Sequence, residues 1–265
     1  MSFLADVWSW FTDGSNWSGE DGVPNLILQH LQVSAAAMLV AVLIALPIGL
    51  TLGHLRRGGV LAINISNVGR AIPSFGILII VALTWSPFYT PPGFGWVGSW
   101  PAFIALTALA IPPMMTNTYV GMADVDAEVR EAARGMGMSG HQVLWRVETP
   151  MALPLIMAGV RISAVGVIAT ATLASVVGFG GLGELIWVGF KIGDYAEMFA
   201  GVLLVAALAL VVELSLAFLQ RLLVSQGLRR GGGRIAKEIE DVDEAILPAA
   251  AGTEVPRPGG GMAGG

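Results

Sequence analysis

Apolar positions along the chain run in long unbroken stretches, not in the alternation of a half-buried strand or the stripe of a surface helix. A helix crossing a bilayer needs about 20 predominantly apolar residues. Five stretches meet that length: residues 31–52, 68–88, 100–122, 153–177 and 196–223. Between residues 71 and 123 there is no Asp, Glu, Lys or Arg at all, more than any buried helix of a soluble domain uses. Residues 3–11 are apolar and aromatic but too short to span, and no Lys or Arg falls within residues 1–25. A secretory signal would begin with basic residues, so this run reads as an interfacial helix, or else a disordered lead. The pattern predicts an all-α, polytopic membrane protein with five core transmembrane helices.

Composition strengthens that reading. The 265 residues are 55% apolar and only 12% charged, whereas a soluble surface needs about a quarter to a third of its positions charged. With a net charge of −5 and no basic patch interleaved with aromatics, nucleic acid is not a partner. The absence of cysteine excludes disulfides, thiolate metal sites and cysteine nucleophiles. His30, His54 and His141 are scattered without ligand spacing, so no metal site is expected.

The placement of charge sets the orientation, because Lys and Arg collect on the cytoplasmic side. Arg56, Arg57 and Arg70 follow the first stretch. Arg130, Arg134 and Arg146 follow the third, and Arg161 lies just inside the fourth. Arg221, Arg229, Arg230, Arg234, Lys237 and Arg257 follow the fifth. Only Lys191 falls on the other side, so the N-terminus lies outside and the C-terminus in the cytoplasm. Trp8, Trp10, Trp17, Trp85, Trp96, Trp100 and Trp187 then share the outer side. They form an aromatic belt at the headgroups or, less in keeping with how Trp is commonly used, a box for a quaternary ammonium ion. The outer loop at residues 86–99, rich in Pro, Gly and aromatics, reads as compact and non-helical.

The connection between the third and fourth stretches, residues 123–152, carries the most specific pattern. Asp124 or Asp126 is placed to cap a helix, and Glu128 and Glu131 suit its positive end. That helix should stop at Gly135 or Gly137. Ser139 and Gln142 have capping-box spacing. A second short helix should run through Val143, Leu144 and Val147 to a break before Pro150. Ala132 and Ala133 would let another surface approach closely, and Leu144 and Trp145 would offer it an apolar anchor. An ordinary loop on the headgroups would need none of this.

The order Glu131-Ala132-Ala133, three residues, Gly137, nine residues, Val147-Glu148-Thr149-Pro150 resembles the EAA loop of the permease subunits of binding-protein-dependent ABC importers. Val147 replaces the usual Ile, and Thr149 departs from the usual Leu. The run 131–161, together with residues 28–34, 70–74 and 180–183, is similar to the osmoprotectant importers for glycine betaine, choline, carnitine or proline. The similarity covers roughly residues 25 to 225.

The resemblance implies a type I importer permease in the cell membrane of a prokaryote. It would pair with a second permease subunit, identical or paralogous, two cytoplasmic ABC ATPase subunits and an extracytoplasmic solute-binding protein. By the same carry-over, Glu131, Ala132, Ala133, Gly137, Met136 and Trp145 would form the surface that couples to the ATPase. This chain would be no enzyme and would hold no cofactor, ATP and Mg residing on the partner ATPase. It has no Gly-x-x-x-x-Gly-Lys-Ser/Thr loop of its own.

Residues 1–27 would form the extracytoplasmic segment, 28–225 the permease domain, and 226–265 a largely disordered cytoplasmic tail. Glu213, inside the fifth stretch, and Asn117, inside the third, are candidates to line the pathway, though packing is the commoner use of such residues. Small residues of the fourth stretch, such as Ala164, Gly166 and Ala171, suit a subunit interface or the pathway wall. An alternative is an ion-coupled secondary carrier that uses Glu213. A membrane enzyme would need a catalytic cluster that the sequence does not show.

Overall fold

The computed structural model describes residues 2–59, 63–64, 73–85, 100–178 and 180–224. The expectations for Arg70, for the outer loop at 86–99 and for the tail lie outside these residues. The described part is helical throughout, with no strand among the described residues. It consists of α1 (Phe3–Thr12), α2 (Val23–Leu55), α3 (Ser74–Trp85), α4 (Trp100–Ala123), α5 (Ala127–Gly135), α6 (Gly140–Val143), α7 (Thr149–Ala174), α8 (Gly183–Ile192) and α9 (Tyr195–Leu223).

Among the described residues, four helices are long and apolar enough to cross a membrane: α2, α4, α9 and the continuous run Gly140–Val177 that contains α7. They match the first, third, fifth and fourth predicted stretches. The second stretch is represented by the 12 residues of α3, apolar but shorter than a span. The α2 helix is longer than predicted. Its 33 residues would reach about 50 Å, well beyond a hydrocarbon core of about 30 Å.

A core of small residues holds α2, α4 and α7 together. Ala37, Ala41 and Ala45 of α2 meet Ala102, Ala105, Leu106 and Ala110 of α4, with Val167 and Ala171 of α7 behind them. Lipid tails are as apolar as Leu, so helices associate in a membrane by close packing of small side chains. The α2–α4 contact is the tightest. A Cβ added at Gly49 would stand 2.8 Å from the Cβ of Thr118, and one at Gly53 would run into Met122. No residue but glycine fits there without separating the helices. The prolines of α4, Pro112 and Pro113, remain inside an unbroken helix.

The outer pieces pack around this core. The α9 helix lies on α7 and α8, and α1 lies on α9, where Phe3 and Phe199 meet edge to face at 5.3 Å. Gln29 of α2 accepts a hydrogen bond from the Gly181 N–H at 3.1 Å, tying the start of α2 to the turn after α7.

Candidate functional site

The loop between α4 and α7 forms as two short helices about a glycine elbow. Asp126 caps α5 by accepting the Glu128 N–H at 2.9 Å. The helix ends at Gly135, and Gly137 takes φ +87°, a left-handed conformation that costs an L-residue roughly 1–2 kcal/mol. A Cβ at Gly137 would meet nothing within 4 Å, so the backbone and not space demands glycine. The Ser139–Gln142 capping box then starts α6, with both reciprocal bonds present.

Beyond α6 the structure corrects one expectation. The chain does not break before Pro150. Residues Leu144–Glu148 form a π-helical turn that leads directly into α7. Both the N–H and, at 2.8 Å, the hydroxyl of Thr149 donate to the Leu144 carbonyl five residues back. Proline lacks an N–H and its ring would strike the carbonyl four residues earlier. A widened turn with i→i−5 bonding relieves that clash while keeping the chain helical. The loop is therefore a rigid extension of α7, and Thr149 has a definite local role.

The six loop residues named from the sequence divide between two faces. Glu131, Ala132 and Gly137 are exposed, and Met136 and Trp145 are exposed by 74% and 50%. Ala133, by contrast, is only 2% exposed and faces inward. Its small side chain lets α5 sit close to α6 and the π turn, the neighbours it packs on.

Beneath the exposed face is a charged cluster that sequence reasoning missed. Glu148, fully buried, is hydrogen-bonded to the ring of His54 at the end of α2 and forms an ion pair with Arg130 of α5, the latter at 2.6 Å. Arg130 also donates to the His54 carbonyl at 3.0 Å, and Arg56 donates to the Val125 carbonyl at 2.6 Å. Arg56 adopts φ +49°, and its side-chain bond to Val125 accompanies this left-handed cap of α2. Burial pushes the Arg130 guanidinium below its ordinary pKa; the Glu148 charge opposes this, while Arg56 and Arg134 add repulsion. The three members come from positions 54, 130 and 148, too far apart for any local pattern. The one local signal was a carboxylate between Val147 and Thr149, just ahead of the apolar run of α7.

The two pathway candidates lie elsewhere. Glu213 of α9 is ion-paired with Arg161 of α7, whose Nε donates to it at 3.1 Å and whose Nη1 donates to Gln220 at 2.8 Å. The pair lines an open groove of about 670 Å³ with Ala158, Ile162, Val165, Ala209 and Leu210. Asn117 is half-buried; its amide donates to the Pro113 carbonyl at 2.7 Å, and its Cβ faces Gly159 of α7. On α8, the Lys191 ammonium lies 5.2 Å from the Trp187 ring, so the chain's own cation occupies that aromatic face. No group of three or more His, Asp or Glu among the described residues could hold a metal ion.

The chain is similar to known permeases over most of its length. It is 33% identical over 201 residues to the glycine betaine/carnitine/choline transport system permease protein OpuCB of Bacillus subtilis (strain 168), covering 76% of this chain and 88% of the relative. It is 38% identical over 207 residues to the carnitine transport permease protein OpuCB of Listeria monocytogenes, covering 77% and 90%. Among solved structures, an inward-facing conformation of the MetNI methionine ABC transporter matches with a TM-score of 0.64 at 21% identity, over 77% of this chain and 96% of the other. That likeness speaks for the fold. Residues 26–226 match the model of a family whose members are membrane components of transport systems. The chain belongs to the family of binding-protein-dependent transport system inner membrane components.

Proposed function

We propose that this chain is the permease subunit of an ATP-driven importer for small quaternary-ammonium solutes of the glycine betaine, carnitine and choline class. Family membership makes it a multi-pass protein of the plasma membrane that works with a solute-binding protein and an ATPase. The solute class rests on the relatives, which carry those names at 33% and 38% identity. The carrier alternative has no support: Glu213 is held by Arg161, and the relatives are transport-system permeases.

The observation that carries the mechanism is the loop geometry. Two capped helices, a left-handed glycine and a π turn hold Glu131, Ala132, Met136, Gly137 and Trp145 on an exposed face that continues rigidly into α7. Such a face suits docking on a moving ATPase, since an interface needs exposed apolar anchors on a support that does not yield. Ala133 contributes from behind. ATP and Mg belong to the partner, and the loop transmits the partner's two states to the spans. Glu213, on an open groove, is the better placed pathway residue; Asn117 serves first in packing α4 on α7.

Mild-detergent co-purification from native membranes, with the mass of the intact complex, tests this reading. Two permease subunits with two ATPase chains are expected, and the mass distinguishes identical from paralogous permeases. A lone chain or simple oligomer that takes up solute on an ion gradient without ATP would overturn it.

A further inference from the structure

The coupling surface and the first span are separate in sequence, yet the structure joins them at one buried point. Glu148 sits in the π turn, which runs covalently into α7. Its carboxylate holds His54 at the end of α2 and Arg130 on α5. Arg56 adds a second tie from α2 to the Val125 carbonyl, just before α5. We propose that Glu148 is a positioning residue that clamps the α5–α6 loop and the end of α2 into one moving body, so that displacement of the loop carries α2 and α7 together.

Three observations support this. First, Glu148 is fully buried and Arg130 nearly so. Two charges taken out of water are retained together only with good geometry, and apolar side chains of the same volume would serve stability as well or better. Second, the contacts are multiple: one carboxylate oxygen is hydrogen-bonded to the His54 ring, the other lies 2.6 Å from the Arg130 Nε, and Arg130 adds a bond to the His54 carbonyl. A point contact between apolar groups would let the helices slide, whereas this one fixes both distance and orientation. Third, α2 and α7 both pack on α4, so a loop that moved α7 alone would shear the core between them. A loop tied to both α2 and α7 carries them together with α4, which preserves the close Ala and Gly contacts of that core.

This inference rests on the coupling-loop reading above, and the test separates the two. The chain contains no cysteine, so paired cysteines placed at the exposed Arg57 and Glu128 can be spin-labelled on the purified chain without background before it is assembled into the full complex with its ATPase and binding protein. The dipolar separation of the labels should be the same in the nucleotide-free and ATP-trapped states. A shift of several ångströms between the two states would overturn the clamp, and this measurement needs no change at Glu148.

In the second arm, Glu148→Gln should leave the amount of co-purified ATPase unchanged but broaden the label distribution. Uptake per ATP should fall about tenfold, within the usual span of coupling between sites. Wild-type uptake per ATP in Glu148→Gln would also overturn the clamp. Gly137→Leu, which leaves the cluster intact, reports on the coupling reading alone. Undiminished uptake there would overturn that reading, and with it the mechanical role of the clamp, even with an invariant label separation.

Discussion

Arg161 and Glu213 illustrate how much a single pair can decide inside a membrane. Arg161 lies 12 positions into α7 and Glu213 lies 10 positions before the end of α9, depths of about 18 and 15 Å along antiparallel helices. The sequence exposed each charge separately: Glu213 as a costly intramembrane carboxylate, Arg161 as a cation just inside a span. Their common depth was legible from the orientation and the helix rise, but the pairing requires knowing that α7 and α9 are neighbours. Once paired, Glu213 loses its appeal as a free coupling group. Removing one partner of such a pair leaves the other uncompensated, while removing both does not. Glu213→Leu should therefore destabilise the chain by about 1–2 kcal/mol, the lower end because both side chains are partly exposed. Adding Arg161→Met should restore most of that loss. Thermal unfolding of the purified single and double variants checks it; strictly additive losses would mean that the two charges do not interact.

At the scale of elements, local signals decided what could be foreseen in the loop. The Asp126 cap, the glycine elbow and the Ser139–Gln142 box all follow from chemistry within a few residues, so they were legible. The π turn was not. Whether Pro150 ends a helix or widens it depends on Thr149 supplying a second bond to Leu144 and on Glu148 being held from α2 and α5. The second of these is a tertiary contact. The same limit applies to Ala133, whose inward face is set by the neighbours of α5. Because the capping box is local, its loss should be local too. Ser139→Ala should weaken α6 by about 1 kcal/mol and so speed amide exchange there about fivefold. The melting temperature should stay unchanged, since the four long helices do not depend on it. Exchange mass spectrometry of the peptide spanning residues 139–148 measures this, and unchanged protection would mean that something other than the box holds the turn.

At the scale of the whole molecule, the fold gathers the charges that the sequence scatters. His54 reaches Glu148, and Gln220 donates to the Pro154 carbonyl at 3.4 Å. The ends of α2 and α9 and the α5–α6 loop therefore share one side, together with Arg56, Arg57, Arg130, Arg134, Arg146 and Arg221. Gln29 reaches Gly181 and Phe3 reaches Phe199, so α1, the start of α2 and the start of α9 share the other side, as α8 with Lys191 does by its link to α9. Segregation of basic residues to one face is the signal that sets orientation during insertion, and it predicts the loop in the cytoplasm and α1 outside. The cysteine-free chain makes this directly measurable. In intact cells a membrane-impermeant maleimide should label Glu20→Cys at once, and Glu128→Cys only after permeabilisation. The reverse pattern would put the loop on the side where no ATPase exists, and neither the coupling face nor the clamp beneath it could then act as proposed.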